Sequence, residues 1–526
     1  MASADVSDGE IVDVALVGYG PVGALLASAL GRRGVRVAVF ERDAEIFALP
    51  RAVHLDAEAI RVIQSVGLID AVLPCTAPTR GMEFVSSRGE RYFGTTPRGV
   101  VPAPTRHGWH PGYMFYQPDL ERALRSGAER HPSVTVELGQ RVEGIAQTAG
   151  ADCARLEVRD LDRASRRSVR ARYAVGCDGA HSTTRRAIGA RLESLGYDRQ
   201  WLVVDTFLRR EVALPSMSQQ ICDPARPTTF VCSAGRHRRF EFQLRPGESA
   251  LEMERPEQVA RLLSRWLAPE DADVARAKVY EFHGVVASPW RSGRLLLAGD
   301  AAHQMPPFQG QGLCGGIRDV ANLAWKLAWV LDGRAGDAVL DSYEAERAPH
   351  VRAMVASSIR VGQLIEALAA AEARGEGFED ASLEANATRR MGWMPRLCSG
   401  LMPPVSADDP GPVGNLLVQP RVRLRGGPVQ RLDDVLGGEL ALLTREDPGR
   451  LLGAAARAFL ERVGARLLGS RDLEDLDGWL GEALGRHAAL IVRPDGYVLG
   501  AADDGPALDA QLERLRDALG QGARPD

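Results

Sequence analysis

The sequence predicts a mixed α/β fold of three units: an N-terminal βαβ unit of parallel-sheet type, an antiparallel-sheet unit further along the chain, and a small α/β unit at the C-terminal end. Three observations carry this. Residues 11–41 run as a β-branched stretch, a glycine turn, an alanine- and leucine-rich stretch and a second β-branched stretch. Residues 197–292 alternate apolar and polar residues in segments such as WLVVDTFLRR and RRFEFQLRPG, the period-two pattern of a half-buried sheet. Residues 395–415 gather proline, glycine and polar side chains and set off about 110 residues beyond them. A length of 526 residues agrees with several domains at roughly 150 residues each.

In chain order, IVDVALVG reads as the first strand, ALLASALGRRG as the crossover helix closed by Gly34, and VRVAVF as the second strand, ending in Glu41. DAEAIRVIQSVG is a second helix stopped by Gly67, because glycine after the last apolar turn ends helices. From Pro74 to Pro111 the period becomes strand-like, with short strands at MEFVSS and ERYFG. A helix returns over 117–130, followed by the strands VTVELG, VEGIAQ, ARLEVRD and SVRARYAVGCDG. The alternating region holds one helix near 256–268. LLLAGD at 295–300 is a strand; a loop and an unbroken helix over 315–331 follow, then mostly helical sequence to Ala387.

Composition excludes several function classes. Apolar residues at 45% and charged residues at 25% are ordinary for a soluble globular protein, and charge interrupts the apolar runs before the ~20 residues of a membrane span. The acidic start MASADVSDGE lacks the features of a secretory leader, so a cytoplasmic location is expected. With 65 basic against 69 acidic residues and no basic run, neither nucleic acid nor a membrane is expected as a partner. Seven cysteines without C-x-x-C spacing read as reduced, packed thiols. No metal-ligand spacing stands out, and no metal is expected.

Gly18, Gly20 and Gly23 form G-x-G-x-x-G, with Pro21 and Val22 inside it, between a strand and a helix. The glycines allow a tight turn, backbone approach to a pyrophosphate and close helix packing, and the helix N-terminus favours the anion. Glu41, eighteen residues beyond Gly23, offers a carboxylate to a ribose hydroxyl and would repel a 2′-phosphate, so FAD or NAD is expected here and not NADP. A second match at Gly310, Gly312 and Gly315 follows a proline-rich loop instead of a strand; it is a second glycine-lined helix start, not a second dinucleotide fold.

Together with CDGAHSTTRR at 177–186 and GRLLLAGDAAHQMPPFQGQG at 293–312, the fingerprint resembles the class A FAD-dependent aromatic hydroxylases of the p-hydroxybenzoate hydroxylase fold. The resemblance covers the whole chain. PRAVHLDAEAIRVIQSVGL, RRFEFQLRPGE and VRPDGYVLG are most similar to the 3-(3-hydroxyphenyl)propionate hydroxylase branch. It implies a Rossmann-like FAD domain over 1–75, 112–185 and 290–400, a substrate-binding sheet domain over 76–111 and 186–289, and a thioredoxin-like domain without C-x-x-C over 410–526. It also implies non-covalent FAD held by Gly18, Gly20, Pro21, Val22, Gly23, Glu41 and Arg42, with Arg51, Gln117 and Asp300 along the pyrophosphate and ribityl chain. Asp178 and Gly179 would serve both FAD and the approach of NADPH or NADH, while Pro307, Gly310, Gly312 and Leu313 would lie against the isoalloxazine. Cys314 stands where many relatives have asparagine and reads as a packed thiol.

The activity implied is hydroxylation of a phenolic ring with NAD(P)H and O2 through a flavin C4a-hydroperoxide, on a substrate such as a 3-(3-hydroxyphenyl)propionate-type acid. Tailoring of a polycyclic phenol by hydroxylation or Baeyer–Villiger oxidation, and a non-catalytic FAD-binding protein, are the alternatives; a homodimer is admitted. Pro307 and His303 are the residues assigned to catalysis. Phe240 and Phe242 share one face of their strand and Arg239 and Glu241 the other. The aromatic face is assigned to the substrate pocket with Arg238, Met305 and Phe308, although a plain sheet core satisfies the same alternation. Trp325 and Trp329, at i and i+4, read as core.

Overall fold

The computed structural model describes residues 11–147, 150, 152–376, 394–406, 409–469 and 471–520; the expected helical sequence to Ala387 lies partly outside them. In the first sheet, Leu295–Leu297, Arg166–Gly176, Ile11–Val17, Val37–Glu41 and Val134–Leu138 stand side by side in that order, all in parallel. Ile11–Val17, Val37–Glu41 and Leu295–Leu297 are nearly continuous apolar runs, as burial on both faces demands. Ile11–Val17 lies in the middle, with the chain leaving it in both directions, so the sheet has its topological switch point there. Helix Pro21–Gly31 starts at Gly20 with proline in its first turn.

The second sheet has eight strands and takes its members from residues 82–94, residues 191–288 and the two-residue strand His303–Gln304. Met82–Val85 and Arg91–Gly94 form one edge, beside Ser218–Ile221, Thr228–Cys232, His237–Gln243, Arg191–Leu208 and Ala272–Ser288. Its outer face is a hydrophobic layer of Leu202, Val204, Phe230, Phe240 and Phe242 under Met253, Val259, Leu263 and Leu267. Phe240 and Phe242 are 0% and 1% exposed, and Trp266 packs on both. This corrects their assignment to the pocket: helix Pro256–Leu263 covers the aromatic face, and alternation turns Arg239 and Glu241 toward the other domain. Arg238 shares the aromatic face and spends its guanidinium on the carbonyls of Ser233, Gly235 and His237, so it is a hairpin brace and not the pocket-rim residue assigned.

Two long helices join the units. Gln311–Leu331 begins four residues earlier than the sequence suggests. Asp341–Ala373 is long and apolar enough to span a membrane by length and composition when its preceding turn is included, a test the sequence reading placed no segment in, but 56% of its apolar window is buried in the fold. Its Val355 and Ile359 press on the sheet at Gly284, where an added Cβ would meet Ile359 Cδ1 at 2.8 Å. The C-terminal unit has a four-stranded sheet in the order Arg466–Gly469, Ala441–Thr444, Ala489–Val492, Val498–Ala502, parallel in the first pair and antiparallel in the others, and closes with helix Gly505–Ala518.

The C-terminal unit docks through an apolar cluster shared with the flavin domain and through buried charge. Arg493 reaches Glu346 of the long helix at 2.9 Å, Tyr497 donates to Glu58 at 2.6 Å, and Arg61 is paired with Asp433 at 2.5 Å. A polar cavity of about 480 Å³, lined by Arg61, Arg318, Arg347 and Arg493 among others, remains at this junction.

Candidate active site

Four parallel strands place their carboxyl ends on one edge, and four of the sequence motifs follow those ends directly. Gly18 follows Val17, Glu41 ends its strand, Asp178 comes two residues after Gly176, and Asp300 three after Leu297. The crevice beyond the strand ends at a switch point is where such sheets bind ligands. Gly18 has φ +97°, and a Cβ there would meet the Cys177 carbonyl oxygen at 2.6 Å, so the two turns touch. At Gly23 a Cβ would lie 2.1 Å from the Gly18 oxygen, whereas at Gly20 it would meet nothing within 4 Å. Gly23 serves packing; Gly20 faces open space at the helix start, as a backbone that admits a pyrophosphate must. The residues present fit FAD.

Glu41 accepts the Tyr19 N–H at 2.6 Å and the Asp43 N–H at 3.0 Å, bracing the glycine turn while lone pairs remain for a ribose. Arg42 is exposed and sits near Asp43. Gln117 uses one oxygen to accept the Arg51 and Ala52 N–H groups at 2.7 and 2.8 Å. The Arg51 guanidinium rests over the Phe47 ring and no carboxylate pairs with it among the described residues. Asp300 is exposed on the cleft and accepts no hydrogen bond among the described residues; surrounding protein raises its pKa, with His303 and Arg51 opposing. A lone carboxylate and a lone guanidinium near each other on one crevice suit the hydroxyls and phosphates of a dinucleotide chain.

Asp178 is otherwise engaged: its oxygens accept from Ser182 Oγ, the Thr183 and Thr184 N–H groups and Thr184 Oγ1. It holds the start of helix Thr183–Ile188, and Gly179 takes the left-handed turn at φ +73° beside it. His303 is 1% exposed, bound through Nε2 to Asp319 at 2.7 Å and packed on Trp290. Asp319 also accepts the Gly299 N–H at 3.0 Å and Arg347 at 2.9 Å. His303 therefore pins the Asp300 turn to helix Gln311–Leu331 and has no open path to a substrate, which corrects its assignment to catalysis.

Pro307 opens a single 3-10 turn and is half-buried, as are Met305 and Leu313. Gly310, at φ +64°, begins helix Gln311–Leu331; a Cβ there would sit 2.9 Å from His54, and one at Gly312 would meet nothing within 4 Å. This helix points its free N–H groups, and the positive end of its dipole, out of the same loop. Cys314 is fully buried and burial pushes its thiol well above the usual range, as a packed thiol requires. Phe308 reaches from the loop to the sheet, its ring 5.4 Å from Trp201 and 5.9 Å from Tyr197.

The inner face of the sheet carries what the sequence reading passed over. Asp205, completely buried, accepts from Arg239 at 2.8 Å, from Arg276 at 2.8 Å and is bound to His237 at 2.7 Å; the two arginines hold its carboxyl far below the usual range. Both arginines also donate to the Pro50 carbonyl, and Arg239 to that of Arg51 at 2.9 Å. One buried carboxylate thus ties the substrate sheet to the loop that presents Arg51. The signal was present as the polar half of the alternation in RRFEF, but alternation does not say which half faces the partner domain.

Comparison with known proteins agrees with this geometry. A family model described as "FAD binding domain" matches residues 11–358 and one described as "HcaD C-terminal domain" matches 414–518. The chain is 39% identical over 491 residues to a 3-(3-hydroxyphenyl)propionate/3-hydroxycinnamic acid hydroxylase of Mycobacterium sp. (strain JLS), covering 91% of this chain and 84% of that one. It is 36% identical over 522 residues to a probable NADH-specific resorcinol 4-hydroxylase of Rhodococcus jostii (strain RHA1), covering 97% and 95%. The solved structure of the flavin-dependent monooxygenase PieE with FAD and substrate superposes with a TM-score of 0.83 at 23% identity, over 98% of this chain and all of that one, a likeness of fold. With the glycine cradle, the Asp300 crevice and the second glycine-lined helix start meeting in one cleft, the chain belongs to the FAD-dependent aromatic hydroxylases, in the branch that holds the 3-(3-hydroxyphenyl)propionate hydroxylases.

Proposed function

We propose that this monooxygenase hydroxylates a small phenol, such as a 3-(3-hydroxyphenyl)propionate-type acid or a diphenol, using NAD(P)H and O2, in the space between the inner sheet face and the Pro307–Gly312 loop. The observation that carries the reading is that the loop bearing Phe308, the helix start at Gly310 and the Asp300 turn converge on the inner sheet face, where Phe308 meets Trp201 and Tyr197. FAD, when bound, carries electrons from the nicotinamide to O2 and delivers one oxygen atom to the ring. Gly18, Gly20, Pro21, Val22, Gly23 and Glu41 would hold its ADP half, Arg51 and Asp300 the chain to the ring system, and Pro307, Gly310, Gly312 and Leu313 the ring system itself. The N-terminus of helix Gln311–Leu331 favours negative charge on that ring edge. Phe308, Met305 and Trp201 exclude water, so that oxygen reaches the substrate in preference to escaping as peroxide.

The names of two relatives support this choice of substrates: one is a hydroxylase of phenolic acids and the other acts on resorcinol. A phenol of this size needs no membrane or nucleic-acid partner, and the reading places the enzyme in the cytoplasm, where NAD(P)H is available. The test is NAD(P)H oxidation by the FAD-loaded protein with 3-(3-hydroxyphenyl)propionate, 3-hydroxycinnamate and resorcinol, with product and H2O2 both measured. Stimulated oxidation with product matching NAD(P)H consumed is expected. Turnover of polycyclic phenols alone would move the chain to the tailoring alternative, and no stimulation by any phenol would overturn the reading.

A further inference from the structure

The inner face of the substrate sheet contains an acidic group that accepts no hydrogen bond among the described residues. Glu241 is 4% exposed; its nearest cation, Arg239 Nη1, is 3.9 Å away and is committed to the Arg51 carbonyl. A buried carboxylate left without donors is costly, so a position that keeps one calls for a function.

Its place on the sheet can be fixed from both sides. Glu241 pairs across the strands with Val203 and Thr229. One rung along is the pair Trp201 and Gln243, and Trp201 touches Phe308, the neighbour of Pro307. One rung the other way is the pair Asp205 and Arg239, which grips the Pro50 and Arg51 carbonyls. Same-face neighbours one rung apart lie roughly 7–8 Å from each other, so Glu241 stands between the two contacts the sheet makes with the flavin-binding loops, on the wall those loops face.

We propose that Glu241 is the group that meets the phenol hydroxyl of the substrate and takes its proton as the ring is attacked. This rests on the hydroxylase reading above. The phenol O–H bond breaks and an O–H bond forms at a Glu241 carboxylate oxygen; the electron pair stays on the phenol oxygen and enriches the ring carbons ortho and para to it. As the ring regains aromaticity the attacked carbon loses its hydrogen as a proton, which goes to the water formed from the second oxygen atom of O2, and the proton held by Glu241 returns to the phenol oxygen, leaving Glu241 as it began. Thr229, directly opposite, gives its hydroxyl proton to Gln220 at 2.6 Å and so does not compete for the carboxylate.

The site's electrostatics suit the role. Burial raises the Glu241 carboxyl to about 7; Arg239 and Arg276 oppose the rise and Asp205 adds to it. Those three, all on its own sheet, are the charges that bear on it among the described residues; no ionisable group of the flavin-binding loops joins them. A general base works best with a pKa near the operating pH.

The experiment compares binding of 3-(3-hydroxyphenyl)propionate and its O-methyl ether to the oxidised, FAD-loaded enzyme at pH 8, in wild type and E241L. Wild type should prefer the phenol by ~10-fold or more, as a hydrogen bond to a charged acceptor implies, and E241L should bind the two alike. E241Q, which keeps the shape of the site, should lose ~10²-fold or more in product formation. Wild-type kcat should fall as pH drops through about 7 and E241Q should lack that acidic limb, a difference that carries the test should E241L fail to retain FAD. A full phenol preference in E241L, or an acidic limb unchanged in E241Q, overturns the proposal and leaves the hydroxylase reading standing. A wild type that hydroxylates no phenol overturns that reading and this proposal with it.

Discussion

Asp300 and Glu241 are carboxylates without hydrogen-bond partners among the described residues, and they ask for different experiments. Asp300 opens on the crevice at a strand end, so Asp300→Ala should leave the folded apoprotein as stable as wild type while FAD affinity falls by ~10-fold or more; thermal melts of the apoprotein and flavin titration separate the two effects. Glu241 is buried, and its folded pKa of about 7 lies above the usual 4.5. A raised folded pKa gives stability that is fully present below the unfolded pKa and lost as pH rises through the folded one. Wild type should therefore lose stability relative to Glu241→Gln between pH 4.5 and 7, by ~3 kcal/mol at 1.36 kcal/mol per pKa unit. Denaturant melts of the two proteins at pH 5 and pH 8 check it; a difference independent of pH would show that the carboxyl is not desolvated. The glycine and aspartate turns were legible in the sequence because each follows its own strand. The orientation of RRFEF was not, since a period of two is symmetric and only the helix folded over Phe240 breaks the symmetry.

At the level of single elements, the first helix and its turn separate fold from ligand. Gly20→Val should leave the far-ultraviolet spectrum of the apoprotein unchanged, because the new side chain enters open space in a backbone conformation that any residue adopts. It should nevertheless abolish flavin absorbance in the purified protein. Gly23→Ala should damage both, because its Cβ falls on the Gly18 carbonyl and must push helix from strand. If Gly20→Val retained stoichiometric flavin, the cradle would not be where the pyrophosphate lies. Helix Gln311–Leu331 teaches the converse lesson about reading sequence. Its glycine-rich start looks like a second dinucleotide fingerprint, and what disqualifies it is the preceding segment: a two-residue strand and a 3-10 turn in place of a parallel strand. The role of His303 was less accessible, because its partner Asp319 lies sixteen residues on and only the folded helix brings the two together.

Over the whole molecule, the flavin domain is completed by residues far beyond its own sheet. Lys326, Asn322 and Arg493 all converge on Glu346, and these arginine and lysine charges hold its carboxyl down to about 2. Removing one member of a buried charge network costs roughly 3–5 kcal/mol, so Arg493→Met should lower Tm by several degrees and open the C-terminal unit to protease before the flavin domain. If protease cut both units at equal rates, the junction would not be the weak point. None of this docking was visible in the sequence, where residues 346 and 493 fall in different predicted domains and nothing local marks them as partners. The absence of cysteine beyond Cys398 was visible, and it leaves this junction to apolar packing, hydrogen bonds and ion pairs.

The same junction sets an order of events during synthesis. Every strand of the flavin sheet has left the ribosome by Leu297, and both long helices by Ala373, yet Glu346, Lys326 and the Trp325 ring that Arg493 covers wait for a strand more than a hundred residues later. Until that strand arrives, a nascent chain holds a nearly finished nucleotide fold with an unsealed charged seam. A chain that stops before residue 493 should therefore be cut by protease faster than the full chain, with the first cuts along the exposed seam.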